Sequence, residues 1–188
     1  MELQEAILER RSVRKFSEYY VTDEEIKAIL EAARWAPSWA NTQVWEFIVI
    51  RDRDLIKQVT ETYGENNPAT KCSLAASVLI IGCAKTGASG YKKGVKATKF
   101  SDWFMFDLGM AVQNLCLNAH ELGLGTVVVG VMDQDICKKI LEVPDEYELV
   151  VSIPVGRPAE TVKKVATPRK DLKDFVYENR FGDPLWRT

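Results

Sequence analysis

The chain has 188 residues, 46% of them hydrophobic and 28% charged, with a formal net charge of −2. This length is enough to bury a core and predicts one domain over residues 1–188, and the composition excludes a disordered chain. The slightly negative balance excludes general attraction to nucleic acid or to an anionic membrane, so any anion recognition must come from a local cluster.

Leu3, Ile7 and Leu8 recur at helical spacing and predict a short first helix. Glu2, Glu5 and Glu9 stand where a signal peptide would be apolar, and no apolar run approaches a membrane span, which predicts a cytoplasmic protein. Directly after this helix come Arg10, Arg11, Ser12, Val13, Arg14, Lys15 and Phe16. Guanidinium groups and a hydroxyl in so short a stretch are the donor set for a phosphate, although a run of charge is also what a solvated turn looks like.

Thr22 and Glu25 form a capping box, and Ile26, Ile29, Leu30 and Ala33 carry a helix from there to about residue 35. A polar and aromatic loop follows, with Pro37, Ser38, Trp39, Asn41, Gln43 and Trp45. Residues 46–50 read as a strand, 52–63 as a helix with Leu55, Ile56 and Val59 inward, and 64–68 as a turn. Residues 77–84 are almost wholly apolar, which predicts a strand buried on both faces.

Residues 85–101 hold three glycines and five lysines with almost no periodicity, and predict a mobile surface excursion, either a cover over a substrate site or a plain connection. Residues 102–122 give the longest helical pattern, apolar nearly all round, as expected of a central helix packed on the sheet or on another subunit. Gly123, Leu124 and Gly125 end it. They precede a strand, whereas a dinucleotide-binding glycine turn follows a strand and opens a helix, so they are not that fingerprint. Residues 126–131 predict a β-branched strand broken by Gly130, Asp133 caps a short helix to 141, and 147–155 form a last strand before Gly156, Arg157 and Pro158.

The final thirty residues carry the basic cluster Lys163, Lys164, Arg169 and Lys170, then Phe175, Val176, Tyr177, Phe181 and Trp186. Aromatic residues on such a tail need a surface, and a partner subunit is the natural one. Cys72, Cys83, Cys116 and Cys137 are widely spaced inside apolar segments and predict buried thiols rather than a zinc site or a disulfide frame, so no metal is expected. His120, the only histidine, reads as an ordinary helix residue.

Taken together, these motifs resemble the nitroreductase family of FMN-dependent oxidoreductases. The resemblance rests on residues 10–14, on Ala36, Pro37, Ser38, Asn41, Gln43 and Trp45, on Gly123 to Thr126 after a long helix, and on residues 156–159 followed by Pro168, Arg169 and Lys170. It implies an α+β fold with a central mixed sheet flanked by helices. It also implies a homodimer that exchanges its tails, from about residue 157 onward, and holds one FMN at each of two interface sites. NADH or NADPH would donate hydride through flavin N5, and a small nitroaromatic or quinone-type acceptor would take two electrons in a second, ping-pong step.

By the same resemblance, Arg10 and Ser12, with Arg169, would hold the phosphate, Arg11 would belong to the same cofactor site, and Arg14 would lie beside the N1/O2 edge of the ring. Pro37, Ser38, Asn41 and Gln43 would belong to the loop that reaches the flavin of the other subunit. Val128, Val129 and Gly130 would present backbone to N5 and O4, making Arg14 and Gly130 the catalytic pair. The chemistry agrees, because a fixed cation near N1 favours the negative charge that reduction places there, and a residue without Cβ lets backbone approach a flat ring. Gly130 also reads as a β-bulge, and the two readings are compatible.

Val44 stands where the family commonly has proline before the tryptophan, and residues 66–72 supply no evident polar flavin contact. Trp35, Trp39 and Trp45 read as core or interface residues. A specialised relative, performing dehalogenation, flavin fragmentation or dehydrogenation, and a flavin-binding module with little reductase activity remain open on this reading.

Overall fold

The structure, a computed structural model, describes residues 1–160 and 167–186. Lys163 and Lys164 of the predicted basic cluster lie outside the described residues. The elements run α1 (Leu3–Glu9), α2 (Asp23–Arg34), β1 (Trp45–Ile50), α3 (Arg53–Glu61), α4 (Thr70–Ala75), β2 (Val78–Lys85), β3 (Tyr91–Lys92), β4 (Val95–Lys96), α5 (Phe104–Glu121), β5 (Gly125–Thr126), α6 (Gln134–Ile140) and β6 (Tyr147–Gly156).

Helix starts follow their capping residues. Thr22 accepts from the Glu25 amide while the Glu25 carboxylate accepts from the Thr22 amide, which fixes the first turn of α2. Asp52 and Asp133 likewise accept from the amides of Leu55 and Ile136 at the starts of α3 and α6.

The main sheet has the order β1-β2-β6-β5, and its ladders are antiparallel. Parallel character enters at its edge through a bridge between Ser12 and Thr126. Strand β2 explains the two-sided core. Val78, Ile80 and Ala84 join a cluster with α2 and α5, while Leu79, Ile81 and Cys83 join a second cluster with α3, α4 and α6. Alternate side chains of a strand face opposite sides, so a central strand covered on both must be apolar throughout.

The predicted strand over 126–131 is corrected. Only Gly125 and Thr126 pair with β6 as a ladder, and Val129 makes one further bridge to Ser152. Beyond Thr126 the backbone is shared with a second partner: the Val131 carbonyl accepts from the Gly64 amide and from Asn67 Nδ2, and the Asp133 amide donates to the Thr62 carbonyl. Beyond Thr126 the bonds of this segment are divided among single contacts, so no continuous ladder with β6 forms.

The excursion at 85–101 also differs from expectation. It contains the β3–β4 hairpin and a fully buried Ser89, so it is built rather than featureless. Helix α4 was missed because its sequence, Thr-Lys-Cys-Ser-Leu-Ala, is short and carries no capping side chain. Helix α5 is buried along Leu108, Ala111, Val112, Leu115 and Ala119, but Met105 and Phe106 are exposed, leaving one side of its first turns open. Trp45 is in the core, Trp39 is half-buried, and Trp35 is 74% exposed. On the tail, Phe175, Phe181 and Trp186 are exposed, with Phe181 stacking on Tyr177 of the same segment.

Candidate active site

The cationic stretch is fastened to the sheet by Val13, and Phe16 at its end bridges to Pro158. Val13 is buried, its amide donates to the Thr126 carbonyl at 2.9 Å, and its side chain packs where Gly125 has no Cβ. A Cβ on Gly125 would come within 2.7 Å of Val13 Cβ. With Val13 turned inward, its neighbours Ser12 and Arg14 are turned out.

Two cavities open beside this stretch. The first, about 530 Å³, is lined by Arg10, Arg11, Ser12, Arg14 and Arg169, with His120 in its wall. The second, about 320 Å³, is lined by Arg14, Asn66, Asn67 and the run Val127 to Val131. Arg14 is common to both. Among the described residues the guanidinium groups of Arg10 and Arg14 make no hydrogen bond or ion pair.

Arg11 is arranged differently. Its Nη1 donates to the Leu8 carbonyl at 2.5 Å and to the Arg10 carbonyl at 2.8 Å, so it closes the C-terminal end of α1. Arg169 reaches the first cavity from the tail, its Nη1 donating to the Thr167 carbonyl at 3.0 Å.

The floor of the second cavity is backbone. Val128 and Gly130 are exposed while Val127 and Val129 between them turn into the core. The Gly130 carbonyl accepts from Gln134 Nε2, but no acceptor among the described residues takes its amide, and a Cβ there would meet nothing within 4 Å. Below this floor Tyr63 donates to or accepts from Ser152 Oγ at 2.7 Å and Ser73 Oγ at 3.2 Å. Asn66 and Asn67 were missed in the sequence because two adjacent asparagines before a proline read as a turn. Asn66 takes a φ of 59°, and Asn67 is tied to the Val131 carbonyl at 2.9 Å.

Pro37 and Ser38 line neither cavity. They wall a separate cavity of about 280 Å³ with Trp39, Trp103, Phe106 and Met110. The loop that carries them is strained: Ala40, Asn41 and Gln43 have φ of 47°, 57° and 47°. Three side-chain acceptors hold it, one of them Asn41 Oδ1, which accepts from Gln43 Nε2 at 3.2 Å. Ser38 Oγ accepts from the Gln43 amide at 2.9 Å, and Asp107 accepts from the Trp39 amide at 3.1 Å. Asp107 is fully buried on α5 and also accepts from Ser89 Oγ at 2.6 Å. An aspartate inside an apolar helix pattern was the one available signal for it.

The four thiols are free and buried. Burial pushes Cys83 up to about 12 and Cys137 up to about 11, and raises Cys72 and Cys116 as well. Such thiols are packing groups and not nucleophiles.

A family model described as the nitroreductase family matches residues 7–157 of the chain. The chain is similar to an Archaeoglobus fulgidus protein named as a candidate NADH dehydrogenase/NAD(P)H nitroreductase, at 33% identity over 94% of this chain and 91% of that one. It is also similar to the FMN reductase (NADPH) of Bacillus subtilis, at 25% identity over 95% of this chain and 74% of that one. Among solved structures, an FMN-dependent nitroreductase from Clostridium difficile superposes with a TM-score of 0.75 at 25% identity, covering 94% of this chain and 98% of that one.

Proposed function

Because the chain belongs to the nitroreductase family, we propose that it is an FMN-dependent oxidoreductase that takes electrons from NADH or NADPH and delivers them to a nitroaromatic or quinone-type acceptor. The observation that carries this reading is the pair of adjoining cavities that share Arg14. One is cationic and the other has an apolar backbone floor, which suits a ligand with a phosphate at one end and a flat ring at the other.

The residues present fit FMN. Guanidinium groups, a hydroxyl and an amide that have no partner among the described residues are the donors that a phosphate and a ring edge require. Arg10, Ser12 and Arg169 would hold the phosphate, with Arg11 stiffening the end of α1 behind them. FMN, when bound, supplies the two-electron chemistry. Arg14 would place positive charge at the ring edge where reduction adds negative charge. Gly130 would offer its amide without a Cβ in the way, Val128 and Val129 would set the height of the floor, and Asn66 and Asn67 would supply polar groups at the rim.

Pro37, Ser38, Asn41 and Gln43 would act on the flavin of a second subunit, which accounts for their absence from both cavities of their own chain. The exposed tail aromatics and the open side of α5 support the same homodimer.

Arg14→Ala tests the reading. Loss of a charge-assisted contact worth about 1.5–3 kcal/mol should lower the two-electron midpoint of bound FMN by roughly 30–60 mV. Spectroelectrochemical titration of the flavin band measures it. An unchanged midpoint together with an unchanged rate of reduction would remove Arg14 from the site.

A further inference from the structure

Residues 86–101 contain Lys92, Lys93, Lys96 and Lys99 and no aspartate or glutamate, in a chain whose net charge is −2. All four lysines are exposed, and none has an ion-pair partner among the described residues. A bare charge run is usually a solvated loop. This one is anchored, and the anchors are specific.

The hairpin turns at Lys93 and Gly94, with φ of 52° and 76°, the two positive angles that a tight two-residue turn requires. Its base is closed by the Ala97 amide on the Gly90 carbonyl at 2.8 Å and by Trp103 Nε1 on Thr98 Oγ1 at 2.8 Å. Gly87 donates its amide to Asp102 at 2.7 Å, and Ser89 donates its hydroxyl to Asp107 at 2.6 Å. Holding a segment in one shape opposes about 1–2 kcal/mol of backbone entropy per residue, and holding like charges together opposes their repulsion. A loop that only connects needs neither.

Asp107 fixes where the cations are. The same buried carboxylate accepts from the Trp39 amide, so the root of the lysine hairpin and the loop carrying Ser38 and Asn41 meet at one side chain. Trp103 and Phe106, at the foot of the hairpin, wall one cavity with Pro37 and Ser38. Phe100 and Phe106 are each 60% exposed and lie edge-on to Trp103. Lys99 Nζ already lies over the Phe100 ring, 4.8 Å from its centroid, so the exposed ring beside the cations and the proposed cofactor loop is that of Phe106.

We propose that the hairpin bearing Lys92, Lys93 and Lys96 is the arm that takes a phosphate group of the dinucleotide donor, held beside the cofactor loop through Ser89 and Asp107; this rests on the reductase reading above. Lysine ammonium groups bind phosphate as point charges, and aromatic faces accept a base by stacking. An acidic protein partner would call for a broad basic face, whereas here the cations are confined to one hairpin. The phosphate is either the 2′-phosphate of NADPH or the pyrophosphate that NADPH shares with NADH.

The triple variant Lys92→Gln/Lys93→Gln/Lys96→Gln, loaded with FMN, is compared with the wild type using NADPH, NADH and the phosphate-free donor 1-benzyl-1,4-dihydronicotinamide. The ratio of kcat/KM for NADPH to that for the phosphate-free donor should fall at least tenfold, through KM. A calorimetric titration with unreactive NADP+, which involves no turnover, should show affinity weakened at least fivefold. An equal fall for NADH supports the arm and assigns the pyrophosphate, and a fall for NADPH alone supports it and assigns the 2′-phosphate. Unchanged ratios with unchanged NADP+ affinity overturn the proposal. A wild-type flavin that none of the three donors reduces overturns the reductase reading instead, and the arm with it. Ser89→Ala keeps the lysines and releases the hairpin from Asp107; it should lower the same ratio severalfold, and an unchanged ratio would overturn the anchoring role.

Discussion

The two halves of the proposed flavin site are built by opposite means. Residues 12–14 and 126–132 are secured through backbone: to each other at Val13 and Thr126, to β6 at Val129 and Ser152, and to residues 62–67 on the far side. Residues 37–43 have no such ladder. They hold three left-handed non-glycine residues in place with local turn bonds, the Ser38 and Asn41 side chains and, from outside the loop, the Asp107 carboxylate. The first half is shaped by the fold and ready for a ligand. The second stores strain of about 1–3 kcal/mol per such residue, which persists only where something else benefits from the shape.

The fixed half should therefore break through packing. Gly125→Ala puts a methyl group against the stiff Val13 side chain, at a contact of 2.7 Å that neither partner can relieve by rotation. We expect a loss of about 1–3 kcal/mol in urea denaturation. The FMN dissociation constant should rise at least tenfold, because Ser12 and Arg14 move with Val13. Normal stability with normal FMN retention would show that the stretch is not seated by this contact.

The strained half should break through a single side chain, with less effect on the fold. Asp107→Asn keeps the shape and an oxygen for the Trp39 amide but turns the second acceptor into a donor, so the Ser89 hydroxyl must reverse to accept and the bonds left are neutral, a difference of about 1 kcal/mol. Unfolding should shift by no more than that, while FMN release, followed by recovery of flavin fluorescence, should quicken about threefold to fivefold. Unaltered release would mean that the loop keeps its shape without the carboxylate.

The same contrast decides what could be read from the sequence. Residue type and spacing carried the cationic stretch at Arg10, Ser12 and Arg14, the capping box at Thr22, the two-sided strand β2 and the buried thiols, since each depends on neighbours along the chain. The shortness of β5 did not show, because the bonds beyond Thr126 are split between Ser152 and residues 62–67, partners distant in the sequence. Asp107 did not show either. Its acceptor role depends on Trp39 and Ser89, 68 and 18 residues away. The lysine hairpin lacked alternation, and its order comes from Trp103 and Asp102 as well as from its own short ladder.

The smallest effect expected separates the halves by pH alone. Cys83 and Cys137 pack in the cluster that contains Tyr63, Val127 and Val129, beneath the fixed half, and burial pushes these two thiols up to about 12 and about 11 from an ordinary value of 9.0. A raised folded pKa means that the native state keeps the proton while the unfolded chain gives it up. The contribution of each thiol is thus fully present below pH 9 and is lost as pH rises from there toward the folded values. Tyr63, also raised by burial, adds the same sign above its ordinary value of 10.0, so the clean window for the thiols lies below that. Urea midpoints measured at steps through this window should decline in the wild type and decline less in Cys83→Ala/Cys137→Ala, whatever the offset that the lost packing introduces. Equal slopes would show that other groups govern the alkaline loss. A decline shared with Asp107→Asn at an unchanged slope would place the alkaline weakness in the fixed half, since that substitution leaves the thiol cluster untouched.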